Sequence, residues 1–310
     1  MNKNKLFKHI DFWAERLGSY SAVAAKCKIS DAALSTVRAG KYGAKEELIL
    51  NKIAQGLDFK DKKWVTVRSI GNYRRIQQVF EDASDQVMWI RISERAGSGK
   101  SEALEDLYNQ DNTGAVVLIE CEEWSPKQFL MNIIEKVGLT EKARYYHSQA
   151  MLLDMICGYF NSIAHLNPIL LIDQFDKLKP SAKRQLIPLY NKTEDNLALI
   201  AAAPESLELE IQKGIRLKKA GYDEIDSRFG RSVVTLRGAT ESDINAICEA
   251  NGLTSPEMKA YIWSSLPKVQ KLTPVKSPSG TKEVMISYVE DLRRLKTLIK
   301  SGKLQVKRVA

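Results

Sequence analysis

The sequence predicts an α/β protein: a parallel sheet with helices on both faces, preceded by a small all-helical domain and followed by a small helical lid. Three observations carry that prediction. Five short runs, "VMWIRI" (87–92), "AVVLIEC" (115–121), "PILLID" (168–173), "LALIAAA" (197–203) and "SVVTLRG" (232–238), alternate with helix-length stretches. They are apolar on both faces, as strands of a covered parallel sheet are. A glycine-rich loop, "RAGSGKSE", follows the first run and opens a helical stretch. At both ends of the chain the apolar residues recur at helical spacing instead.

Residues 1–58 read as helices throughout. "LFKHIDFWAERLG" has a helical apolar face, and "KEELILNKIAQGL" repeats it after the turn signal "AGKYG". Between them "SAVAAKCKISDAALSTVRAGKY" reads as two short helices around a tight turn. Ala24 is small where the helices cross, Leu34 and Val37 face the core, and Ser30 caps the second helix. From Ala24 to Gly40 the spacing resembles the helix-turn-helix of phage-repressor-type domains. Lys28 stands where that turn usually has glycine, which costs energy if the backbone there is left-handed. The second helix begins at Asp31 and offers Ser35, Thr36, Arg38 and Lys41 to a DNA partner. Few of these read bases bidentately, so backbone-dominated, weakly specific DNA binding is expected. A small helical docking domain is the other reading of the segment.

"DFKDKKWVTV" (58–67) is a charged connection. The expected organisation is therefore a helical domain over 1–58, a linker over 59–67, an α/β core over 68–238 and a lid with a basic tail over 239–310. In the last segment "TESDINAICEANG" and "VMISYVEDLRRLKTLIKSG" read as amphipathic helices joined by the Pro/Ser/Gly-rich "LTPVKSPSGT".

The glycine-rich loop has the parts of a phosphate cradle. Glycines let backbone N–H groups wrap the anion, a lysine reaches the β/γ oxygens, and a hydroxyl serves Mg²⁺. Ala96, Gly97, Ser98, Gly99, Lys100, Ser101 and Glu102 form that segment, with Lys100 and Ser101 in the two chemical roles. The pattern GxxxxGK[ST] fails at its first position, Glu94, which shapes the turn. ATP with Mg²⁺ is the expected ligand. The third run ends in Asp173, and Gln174 follows.

A phosphate loop, an aspartate closing an apolar strand and a helical lid after the sheet together resemble the AAA+ ATPases. Within them, the order of repressor-like domain, linker, minimal module and lid is similar to the B transposition protein of phage Mu and its transposon-helper relatives. The likeness spans nearly the whole chain; its motifs are specific at the phosphate loop and Asp173 and loose elsewhere. It implies an AAA+ sheet and an ATP-dependent, weakly sequence-specific DNA-binding protein. Such a protein polymerises on double-stranded DNA, delivers that DNA to a DDE transposase and activates it.

The resemblance also implies roles. Ser101 and Asp173 hold Mg²⁺, and an arginine from "DEIDSRFGRSVV" reaches a neighbouring subunit's γ-phosphate, Arg228 being the first choice and Arg231 the second. Gln174 occupies the place of a glutamate that polarises the attacking water; an amide can orient water but cannot take its proton. A naturally slow site, a naturally inert one and an introduced substitution that holds ATP all fit. Ala203 and Pro204 stand where a polar residue usually helps position the water, so slow hydrolysis is expected. The lid has no clear sensor arginine: Lys282 is the only cation in "SGTKEV", and Arg293 and Arg294 read as solvated helix charges.

The net charge of +9 suits a polyanionic partner. Candidate DNA contacts in the core are Lys142 and Arg144 in "KARYYHSQ", then Lys177, Lys179, Lys183 and Arg184, and the tail "RRLKTLIKSGKLQVKRVA"; each patch alone also reads as a solvated helix face. Four scattered cysteines and three scattered histidines argue against a zinc site and suit a reducing cytoplasm. No apolar run is long enough for a membrane span, so a bacterial cytoplasmic, nucleoid-associated setting is expected. The alternative functions are an operator-reading regulator or scaffold without turnover, and a helicase-loader-type ATPase.

Overall fold

The computed structural model describes residues 3–43, 46–57, 59, 64–143, 145, 148–277 and 280–309. They fall into two compact units, Met1–Trp64 and Val65–Ala310.

The first unit is four helices: α1 (Lys3–Leu17), α2 (Tyr20–Lys26), α3 (Asp31–Arg38) and α4 (Glu46–Gly56). Its core closes on Leu6, Ile10, Val23, Ala24, Leu34, Val37, Leu50 and Ile53. Ser30 caps α3 by accepting from the Ala33 N–H at 3.2 Å. In the turn between α2 and α3, Lys28 is left-handed with φ +54°, so the cost anticipated for a non-glycine is present.

The second unit begins with α5 (Gly71–Asp85), β1 (Trp89–Ser93), α6 (Lys100–Gln110), β2 (Val116–Glu120), α7 (Pro126–Lys136), α8 (Thr140–Ala143), α9 (Gln149–Ser162) and β3 (Ile169–Asp173). It continues with α10 (Pro180–Lys183), α11 (Leu186–Thr193), β4 (Ala198–Ala203), α12 (Ser206–Arg216) and α13 (Tyr222–Arg228). The strands pair in the order β1-β4-β3-β2, all parallel. Leu170 and Ile172 of β3 and Leu199 and Ala201 of β4 pack with Phe129, Ile133, Ile156, Phe160 and Leu189 on one face. The alternate residues face α5 and α6. Because both faces are covered, every residue of β3 and β4 is buried. The α/β fold with a helix-covered parallel sheet is as the sequence predicts.

Two expectations fail. The run at 232–238 forms no regular strand: it meets β1 only at the bridge Ile92–Val234. The Leu236 N–H is taken by Glu94 Oε2 at 2.9 Å and the Gly238 N–H by Asn72 Oδ1 at 3.1 Å, so side chains replace the ladder. The C-terminal segment, in turn, is not all-helical. Between α14 (Glu241–Ala250), α15 (Pro256–Ser265) and α16 (Leu292–Val309) lies an antiparallel hairpin of β5 (Val269–Ser277) and β6 (Gly280–Tyr288). The stretch read as one helix over 284–302 is thus divided between strand and helix. Pro274 fits β5 because a two-stranded ladder leaves an outer edge that needs no N–H. Among the described residues no helix is long and apolar enough to cross a membrane.

Candidate nucleotide site

Strand parity builds the site. Asp173 closes β3 on the same face as Ile169 and Leu171, the face α6 covers. α6 starts at Lys100, directly after the glycine loop, so its first turn meets the strand end. There the Ser101 hydroxyl comes close enough to Asp173 to favour its charged form. Burial pushes the Asp173 carboxyl above its ordinary range, against the opposing pull of Ser101 and of the Gln174 N–H at 2.9 Å.

Gly97 and Gly99 have φ of +92° and +93°, a curl that side chains resist. Inside it the Lys100 ammonium donates to Glu94 O at 2.6 Å, Arg95 O at 3.0 Å and Ser98 Oγ at 3.0 Å. Burial lowers its pKa, while Glu94 and Asp173 act the other way. Glu94, where the motif has glycine, does what glycine cannot. Its carboxylate accepts from Arg95 N at 3.0 Å and Leu236 N at 2.9 Å, tying the loop's start to the segment after α13.

The donor set fits Mg²⁺. A hydroxyl and a carboxylate are hard oxygen ligands, and Mg²⁺ commonly takes few protein ligands and completes its shell from phosphate and water. A nearby buried oxygen, Asp176 Oδ1, has no hydrogen-bond donor among the described residues. No cluster of three or more His, Cys, Asp or Glu suited to a metal occurs among them either. Ser101 and Asp173 are the oxygen donors here that could hold the ion beside a bound phosphate.

Two features of this site were not foreseen. Gln174 is left-handed, with φ +55°, and its Nε2 donates to Glu120 Oε1 at the end of β2. The signal for Glu120 was present in the strand "VVLIE", which ends in a carboxylate as β3 does. The second feature comes from the lid. Leu292 N donates to Gly97 O at 2.8 Å, and a Cβ on Gly97 would overlap Asp291 Oδ1. Arg293 is thus in the first turn of α16, near enough to Lys100 to depress its pKa. Arg293 is exposed, as expected of a solvated helix charge, and the later start of the helix brings that charge toward the phosphate loop.

At the end of β4, Ala203 is buried and Pro204 offers only its carbonyl, which accepts from Ser93 Oγ at 3.2 Å. Arg228 is engaged within its own chain, donating to Glu224 O and Asn191 Oδ1, each at 2.8 Å, and lying over Tyr190. Arg231 is exposed and pairs, among the described residues, with Asp223 at 2.8 Å and Asp226 at 3.7 Å.

The DNA candidates divide. Ser35 and Lys41 are exposed on the first unit, while Thr36 donates its hydroxyl to Ala32 O at 2.6 Å. Arg38 pairs with Asp11 at 2.7 Å and lies over the Tyr20 ring. Lys142 and Arg184 are exposed in the second unit; Arg144 lies outside the described residues. Lys183 is a correction. It is 3% exposed, pairs with Glu210 at 2.7 Å and lies over Phe175, so α10 turns it into the core instead of toward a polyanion.

Residues 95–209 match the AAA domain family. The AAA domain match runs from the phosphate loop through Asp173 into α12, and domains of this family generally bind nucleotide with Mg²⁺. Solved structures similar to the chain include Cdc6p from Pyrobaculum aerophilum, at 16% identity over 62% of this chain and 52% of that one, with a TM-score of 0.44. The Orc1 protein of Aeropyrum pernix in complex with DNA is 14% identical over 81% and 63%, with a TM-score of 0.46. Drosophila ORC bound to DNA is 12% identical over 79% and 59%, with a TM-score of 0.45. The chain spans about half to two thirds of the length of these proteins. No curated protein sequence matches it.

Proposed function

We propose that the AAA domain of this chain binds ATP–Mg²⁺ and that the ATP-bound protein coats duplex DNA as a filament or ring. In that state it delivers the DNA to a DDE transposase and activates it, in a bacterial, nucleoid-associated setting. The meeting of Lys100, Ser101 and Asp173 at one end of the sheet carries the nucleotide reading. Lys100 would offer its charge to the β/γ-phosphate oxygens, and Ser101 and Asp173 would hold an ion that supplies charge neutralisation when bound. DNA binding is supported by the net charge of +9 and by exposed Ser35, Lys41, Lys142 and Arg184, residues suited to phosphates more than to bases. Arg231, exposed at the end of α13, is the better placed of the two arginines to reach a neighbouring subunit. The transposase reading rests on the sequence resemblance.

Imaging of the full chain on duplex DNA tests this. Continuous protein coats are expected with ATP–Mg²⁺ and bare DNA without nucleotide, and the coated DNA should be the preferred target of the partner transposase. Bare DNA under both conditions would contradict the proposal.

A further inference from the structure

We propose that Glu120 is the proton acceptor for the water that attacks ATP, an inference that rests on the ATP-binding reading above. Position 174 cannot fill that role, because its amide has no useful basicity. The sheet supplies a carboxylate one strand away. Glu120 and Asp173 are register partners at the ends of β2 and β3, so both leave the sheet at the edge where the phosphate loop lies. Gln174 joins them: its N–H donates to Asp173 Oδ1 at 2.9 Å, and its Nε2 donates to Glu120 Oε1. The amide therefore holds one carboxylate oxygen and leaves the other for water. Glu120 Oε2 accepts no hydrogen bond among the described residues, and the side chain is exposed. The acid and amide of a water-activating pair are thus both present, with the acid on β2 and the amide after β3.

The step balances without redox change. The water oxygen bonds to the γ-phosphorus as the bond from that phosphorus to the β,γ-bridging oxygen breaks. ADP leaves with the electron pair, and the water's proton passes to Glu120 Oε2 and then to solvent.

A purely positioning role for Glu120 makes a different prediction. Glu120→Gln keeps an oxygen that can accept from Gln174 and removes only the basicity. Phosphate release under single-turnover conditions, the Kd for a fluorescent ATP analogue with Mg²⁺, and the lifetime of intact ATP on the full chain separate the cases. Glu120→Gln should slow phosphate release by about 10²-fold or more, the usual worth of general-base help, leave the Kd unchanged and lengthen the life of bound ATP. The exchange E120Q/Q174E should restore release to within about tenfold of the parent, because the carboxylate then stands on the other member of the same pair. The proposal is overturned if Glu120→Gln releases phosphate as fast as the parent, if E120Q/Q174E stays as slow as Glu120→Gln, or if the parent binds ATP without hydrolysing it. Absence of any Lys100-dependent ATP binding would overturn the nucleotide reading as well.

Discussion

Lys100 and Lys183 are both buried lysines, and their partners give them opposite roles. The groups bonded to Lys100 are two carbonyls and a hydroxyl, all neutral, so its charge remains available to an anion. Lys100→Ala should abolish ATP binding, measured by titration with a fluorescent nucleotide, while the fold persists. Lys183 is matched by Glu210, which also accepts from the Tyr222 hydroxyl at 2.8 Å. Lys183→Met keeps the apolar stem but leaves Glu210 without its cation. Because Glu210 is about a third exposed, water offsets part of the loss, and a destabilisation of about 1–2 kcal/mol in denaturant unfolding is expected, with DNA affinity unchanged. The opposite sign is expected at Lys28, whose left-handed backbone disfavours a Cβ. Lys28→Gly should stabilise the four-helix unit by about 0.5 kcal/mol, read from the same unfolding curves.

At the scale of elements, the sequence revealed what apolar patterning controls and hid what side-chain bonding controls. The four strands of the sheet, the capped α3 and the phosphate loop were legible because burial period and motif chemistry agree there. The fifth run was misread because Glu94 and Asn72 take N–H groups that a strand would have used; these partners are far away in sequence. The hairpin was misread because Pro274 and the flanking Ser and Gly look like a loop, although a two-stranded ladder tolerates them. Hydroxyl pairing between Thr273 and Tyr288 at 3.0 Å, which secures the hairpin, is equally nonlocal. α16 begins at Leu292, later than the sequence suggests, which places exposed Arg293 in its first turn. Its position beside the phosphate loop predicts that Arg293→Ala weakens ATP binding by about tenfold, the worth of one well-placed charge at roughly 1.4 kcal/mol. An unchanged Kd would return Arg293 to the role of a surface charge.

At the scale of the molecule, an excess of cations accompanies a sheet proposed to bind nucleotide. DNA held through phosphates should release counterions, so affinity should fall linearly on a logarithmic salt scale. Lys142→Ala and Arg184→Ala should each lower that slope by about one while leaving sequence preference unaltered. Assembly should depend on the exposed Arg231 more than on Arg228, whose bonds to Glu224 and Asn191 keep it within its own chain. On the proposed reading, occupation of the Lys100–Asp173 cradle governs DNA binding. Duplex DNA affinity measured at fixed salt, with and without ATP–Mg²⁺, for the parent chain and Lys100→Ala tests it most directly. A large gain on adding ATP in the parent, absent in Lys100→Ala, is the predicted result; equal affinity in all four conditions would contradict it.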